Sequence, residues 1–117
     1  MIIRLFLLTF LSLPVAAHAL NFESTDLKLV CPQRGNVEIT LHRYNHASEQ
    51  WGKHFAVGAG HTRHGDLEFV RFTNGDVFIH LNATDEYLFR YAGQNKSFHC
   101  RKISERPATP WQPDRIV

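Results

Sequence analysis

The chain is poor in cysteine, has no block of like charge, and shows no long stretch with a helical period. Cys31 and Cys100 are its only cysteines, and neither has a second Cys or His beside it in a zinc-like spacing, so two free thiols or metal ligands are a poor fit. Lys and Arg number 13 against 11 Asp and Glu, for a net charge of +2 with no basic cluster. Nucleic-acid binding usually needs a concentrated positive face, so neither nucleic acid nor an anionic membrane surface is expected as a partner. Without a period near 3.6 residues, a helical bundle is excluded. The serines and threonines are scattered and lack the turn that exposes a nucleophile. No carboxylate pair with glycosidase spacing can be inferred, and no repeat or low-complexity tract is visible.

One long apolar run is present, at the start. Arg4 precedes residues 5–15, Pro14 falls near the end of that run, and Ala17-His18-Ala19 places small residues at −3 and −1 of a cleavage point. This is the pattern of a secretory signal peptide, removed after Ala19. The run is too short for a hydrocarbon core needing roughly 20 residues, so no membrane span is expected in the mature chain. No Cys follows at the cleavage point, which speaks against a lipid anchor. Residues 20–117 remain: 98 residues with a net charge of +1, enough for one domain with a modest core. An even cysteine count in an exported chain reads as one disulfide. Joining Cys31 to Cys100 closes a loop of about 70 residues, worth roughly 4 kcal/mol by chain entropy. The protein is thus expected to be periplasmic or secreted, the cleavage site and single disulfide suiting a Gram-negative periplasm. Asn82-Ala83-Thr84 and Asn95-Lys96-Ser97 keep a glycosylated eukaryotic secreted protein open as the alternative.

Period-two alternation dominates the mature part. Leu27, Leu29 and Cys31 share one face of a first strand, and Val37, Ile39 and Leu41 share one face of a second. Residues 45–53 are polar and read as a loop or one helical turn around Ala47 to Trp51. Phe55, Val57 and Ala59 suggest a third strand, and residues 61–66 a polar loop. Residues 66–73 and 76–82 flank Asn74-Gly75, the preferred pair for a two-residue type I′ hairpin turn. Residues 86–92 form a sixth strand and 96–103 the last. The expected fold is all-β: a small antiparallel β-barrel or sandwich of about seven strands, with the disulfide joining first and last. The domain covers residues 20–105. Residues 106–117, with Pro107, Pro110 and Pro113, read as an extended tail pinned by Trp111.

A two-residue turn sets Thr73 opposite Asp76. One face of the hairpin then pairs Val70 with Ile79, Phe72 with Val77, and Glu68 with Leu81, as a core face. The other places Arg71 beside Phe78, Phe69 beside His80, and Leu67 beside Asn82. Aromatics and arginine anchor many protein interfaces. Phe69, Arg71, Phe78 and His80, with Gly60, His61, Arg63 and His64 of the neighbouring loop, are therefore the expected partner-binding residues. The alternative is that a second sheet or the Trp111 tail covers that face.

Seven of the eight histidines lie in the mature chain. A metal site needs three or four ligands converging at about 2 Å. His42 and His46 are not aimed at one ion if His42 ends a strand. His61 and His64 with Asp66 are the better set, yet a loop pair is usually solvated, so no metal and no cofactor are expected. A mild pH response through the histidines is the more plausible role. An enzyme reading uses Glu68, Arg71, His80 and Arg90 as base, phosphate clamp and acid of a small secreted nuclease. The expected register sets Glu68 on the face opposite Arg71 and His80, which counts against it.

Phe69-Val70-Arg71-Phe72-Thr73-Asn74-Gly75-Asp76, followed by a strand and a Cys near the last strand, resembles small exported two-cysteine proteobacterial proteins. The layout is also similar to that of the periplasmic C-type lysozyme inhibitors. The resemblance implies an eight-stranded barrel bridged by a disulfide, with a Ser-Gly-x-x-Tyr loop and a later lysine entering the lysozyme cleft. Here the nearest stretch is Ala59-Gly60-His61-Thr62-Arg63. Ala59 replaces the serine, Arg63 replaces the tyrosine, and the lysine position falls near Asn74, so the inhibitory residues do not carry over. The expected function is an exported, non-catalytic binding protein. Its partner would be a protein such as a lysozyme or other cell-wall hydrolase. The alternatives are a small secreted hydrolase and an envelope interaction module.

Overall fold

The computed structural model describes residues 19–108. Residues 1–18, where the signal peptide is expected, together with Pro110, Trp111 and Pro113 of the expected tail, lie outside the described residues. Eight antiparallel strands run in chain order around a closed barrel: β1 (Ser24–Cys31), β2 (Gly35–His42), β3 (His46–Trp51), β4 (His54–His64), β5 (Leu67–Phe72), β6 (Val77–Leu81), β7 (Glu86–Arg90) and β8 (Phe98–Pro107). Closure comes from β1 pairing with β8, and it leaves no open sheet edge. The Cys31–Cys100 disulfide bridges these two strands as expected. Disulfides persist in oxidising compartments, so the bond indicates a protein that works outside the cytoplasm.

The strand count is one higher than expected, and each difference has a local cause. Residues 46–51, within the segment expected to be a loop or one helical turn, form β3, whose inward positions are Ala47 and Glu49. The turn before it contains no glycine, because Tyr44 and Asn45 both take φ of +61°. Of the expected loop at 61–66, residues 61–64 are instead the end of β4, and only Gly65 and Asp66 form the turn. The register of β4 on β5 shifts between Gly58 and Gly60. This bulge reverses which residues face inward, from Ala56 before it to His61 and Arg63 after it. Arg106 and Pro107, assigned to the tail, belong to β8 and pair with Asp26 and Thr25.

The largest correction is the β5–β6 register. Phe72, not Thr73, lies opposite Asp76: Phe72 N donates to Asp76 O at 2.9 Å, and Gly75 N donates to Phe72 O at 3.0 Å. The loop therefore has three residues, Thr73, Asn74 and Gly75. Only Gly75 takes a positive φ, +98°, as in a type I turn followed by a left-handed residue. A slip of one residue exchanges the two faces of a strand. Val70 thus pairs with Phe78, and Glu68 with His80.

The centre of the barrel is a packed aromatic and aliphatic core. Leu27, Leu29, Val37, Ile39, Leu41 and Val70 surround Phe78 and Phe89, whose ring centroids are 5.4 Å apart. Gly75 is the position on which the hairpin register depends. A Cβ there would meet Ala92 Cβ at 3.1 Å, on a backbone conformation that side chains rarely adopt. Gly75→Ala is expected to cost about 1–3 kcal/mol, measured as a lower urea midpoint. An unchanged midpoint would show that the loop can re-form without a left-handed residue.

Candidate functional site

Each end of the barrel is closed by a buried polar cluster that the sequence reading did not anticipate. At the β1–β2 turn end, Asp76 is fully buried. Its carboxylate accepts from Arg34 Nη1 (2.6 Å) and Nη2 (3.1 Å), from Ala92 N (2.8 Å) and from Asn74 Nδ2 (3.1 Å). The Arg34 guanidinium lies between two rings, 4.1 Å from the Trp51 centroid and 4.0 Å from that of Tyr91. Burial alone would raise the Asp76 carboxyl, but the Arg34 bonds outweigh it and hold it below the usual carboxylate range. Glu49, equally buried, accepts from Asn74 Nδ2 at 2.8 Å, while its Oε1 has no hydrogen-bond partner among the described residues. Burial first, and the Asp76 carboxylate second, push Glu49 up to about 8. A proton on Glu49 turns two repelling carboxylates into a donor and an acceptor.

At the other end, Glu68 is 1% exposed and accepts from Arg63 Nη2 (2.7 Å) and Asn82 Nδ2 (2.9 Å). His61 Nε2 lies 3.0 Å from its second oxygen. Burial would raise Glu68, but these donors outweigh it and keep the carboxyl low. Because Asn82 turns its amide nitrogen to Glu68, its Oδ1 faces His80 Nδ1 at 2.7 Å. His80 Nε2 faces Asp85 Oδ1 at 2.7 Å. Both ring nitrogens meet acceptors, so both bonds form together only when each nitrogen carries a proton. Tyr87 and Lys102 also donate to Asp85. With its side chain bonded on both sides and only 5% exposed, Asn82 is not a surface glycan acceptor in the folded chain.

The expected binding residues divide between inside and outside. Phe78 (0% exposed) and His80 (1%) are interior, contrary to the outward face expected for them. His61 and Arg63 lie at the barrel rim on Glu68, and Gly60 belongs to the β4 bulge. His64, Phe69 and Arg71 do face outward, with the His64 and Phe69 rings 5.9 Å apart. Across five strands the outer row reads Thr62, Phe69, Ile79, Leu88, His99. The next row holds Arg71, Val77 and Arg90, and the row on the other side holds Leu67 and Leu81. The apolar members are half-buried and both arginines are exposed. Arg71 donates only to Thr62 Oγ1, at 3.4 Å, and neither arginine forms an ion pair among the described residues. Phe69, Arg71, Val77, Ile79, Arg90 and Ser97 line a shallow depression of about 310 Å³.

The nuclease set of Glu68, Arg71, His80 and Arg90 is not assembled, because the first and third are inside the barrel wall and the other two outside. Among the described residues, no three His, Cys, Asp or Glu side chains converge as metal ligands, and no helix is long and apolar enough to cross a membrane.

The sign of one pH effect follows from Glu49. Its folded carboxyl titrates near 8 and its ordinary value is 4.5, so its contribution is complete below about 4.5 and lost as pH rises to about 8. Glu49→Gln keeps the neutral form at all pH. At pH 8.5 the variant is expected to exceed the natural protein in stability by more than about 1 kcal/mol, the worth of one pH unit, and to match it at pH 4. Urea midpoints at the two pH values decide this, and parallel pH slopes would remove Glu49 as the cause.

No protein-family model, curated protein or solved structure matches this chain.

Proposed function

We propose that this is an exported binding protein that acts without chemistry, docking its outer β5–β7 face on a cell-wall hydrolase and blocking its cleft. The observation that carries the reading is the pair Arg71 and Arg90, set across Val77 beside the apolar row of Phe69, Ile79 and Leu88. Two exposed cations without carboxylate partners among the described residues, beside half-buried aromatic and aliphatic groups, fit an acidic, partly apolar recess. Glycoside hydrolases carry such a recess, because cleaving the sugar bond takes a pair of carboxylates in the cleft. The remaining support is the filled interior, which turns recognition to the outer surface, and the disulfide, which suits an oxidising envelope. The signal-peptide pattern of residues 1–19 supports export of the mature chain to the periplasm or outside the cell.

The test is lysis of peptidoglycan by a panel of lysozymes and bacterial wall hydrolases, followed by turbidity, with and without the oxidised protein. Stoichiometric protection against at least one glycosidase is expected. The double variant Arg71→Glu, Arg90→Glu is expected to raise the half-protecting concentration at least about 100-fold, the roughly 2.7 kcal/mol typical of a lost interfacial charge pair. No protection across the panel would leave the envelope-module reading in its place. Protection indifferent to both reversals would move the interface elsewhere on the barrel.

A further inference from the structure

The first described residues cover one end of the barrel. Leu20 and Phe22 are half-buried against the core, and the Phe22 ring lies 4.4 Å from that of His61. Leu20 N lies 3.4 Å from Glu68 Oε2, while Ala19, one residue before it, is exposed. That carboxylate is itself 1% exposed, so the main-chain nitrogen is directed at a buried acceptor. It coincides with the bond at which the signal-peptide pattern ends.

We infer that Glu68 is the receptor for the α-ammonium group that processing creates on Leu20. The inference rests on the export reading above and adds a site to it. Hydrolysis of the Ala19–Leu20 amide consumes one water. The C–N bond breaks, Ala19 leaves as a carboxylate, and Leu20 keeps the nitrogen as an amine. That amine takes up a proton at neutral pH, because α-amino groups titrate near 8. Before cleavage the nitrogen offers Glu68 one neutral N–H. After cleavage it offers three hydrogens and a full positive charge, and charge-assisted bonds are roughly twice as strong as neutral ones. Glu68 has room for it. Arg63 and Asn82 on Oε2 and His61 on Oε1 take three of a carboxylate's roughly four lone-pair sites, which leaves one for the Leu20 nitrogen. Arg63, the cation already on Glu68, has a side chain 53% exposed and is therefore well solvated. The new ammonium would sit at the half-buried inner side of the same carboxylate. Removal of the leader therefore strengthens closure of this end, and the precursor is the less stable form.

The experiment compares the processed protein with a free Leu20 amine and the same protein acetylated at Leu20. Acetylation restores the single neutral amide N–H, as in the precursor, and removes the charge with the two added hydrogens. At low salt the acetylated form is expected to melt roughly 4–8 °C lower, and Glu68→Gln is expected to abolish the difference. Equal melting temperatures in the natural background, or an undiminished difference in E68Q, would overturn the proposal. If E68Q does not fold, a crystal structure of the processed protein decides: the Leu20 ammonium within hydrogen-bond distance of Glu68 supports it, and an ammonium turned to solvent overturns it. Intact mass of protein exported from the full-length chain reports the cleavage point separately. A mature start other than Leu20 overturns both the processing reading and this site, whereas a Leu20 start with equal melting temperatures overturns the site alone.

Discussion

Three residues, not two, turn the chain between β5 and β6, and the interior chemistry of the barrel depends on that count. Asn74 holds the turn in this form. Its Oδ1 accepts from Asp76 N at 3.0 Å while its Nδ2 reaches the carboxylates of both Asp76 and Glu49. The side chain that shapes the loop is thus also a member of the buried cluster, and turn and cluster stabilise each other. A register one residue away would turn Phe78 and His80 outward and bring Val77 and Ile79 inside. Asp76 would then lose Arg34, and Glu68 would lose its alignment with His80.

The two closed ends use buried charge in opposite ways. At the Arg34 end, one cation is shared between two carboxyl groups, and only Asp76 receives its bidentate bond. Glu49 keeps its proton instead. At the Glu68 end, donors exceed carboxylates, and the carboxyls of Glu68 and Asp85 stay below their ordinary values despite burial. The pH responses therefore oppose one another. The Glu68 and Asp85 contributions are present above the ordinary carboxylate range and lost as pH falls through their lowered values. The Glu49 contribution is lost as pH rises toward 8. Asp76, also held low, joins the acid-side loss, so these carboxyl contributions together favour the mildly acidic range.

Much of the fold is legible from alternation alone. β1 and β2 repeat an apolar residue at every second position, and the two cysteines mark the strands that close the barrel. What escaped has physical reasons. β3 carries Glu49 inward, and a buried glutamate reads as a loop residue until its Asn74 and Asp76 partners are known. The second half of β4 is invisible because a bulge reverses its parity and its inward residues are His61 and Arg63. Of the candidate site, alternation puts Phe69 and Arg71 on the correct face, whereas a two-residue turn puts Ile79 and Val77 in the core and His80 and Phe78 on the surface. Asn-Gly is the strongest signal for a two-residue turn, and of the Asn74 side-chain bonds that override it, two go to Asp76 and one reaches Glu49, 25 residues away.

β6 also runs against the simplest solvation rule. Val77, Ile79 and Leu81 face outward, while Asp76, His80 and Asn82 accompany Phe78 inside. The inner half of this inversion is offset by hydrogen bonds that saturate Asp76 and His80. The outer half has no such compensation. Neighbouring side chains shield Phe69, Ile79 and Leu88 only in part, and the arginines beside them form no ion pair among the described residues. Each 100 Å² of apolar surface taken from water is worth about 2.5 kcal/mol, an upper bound for association, which has entropic costs of its own. The register that satisfies the interior therefore leaves a free-energy gain on the outside for whatever can cover the apolar row and neutralise Arg71 and Arg90 together.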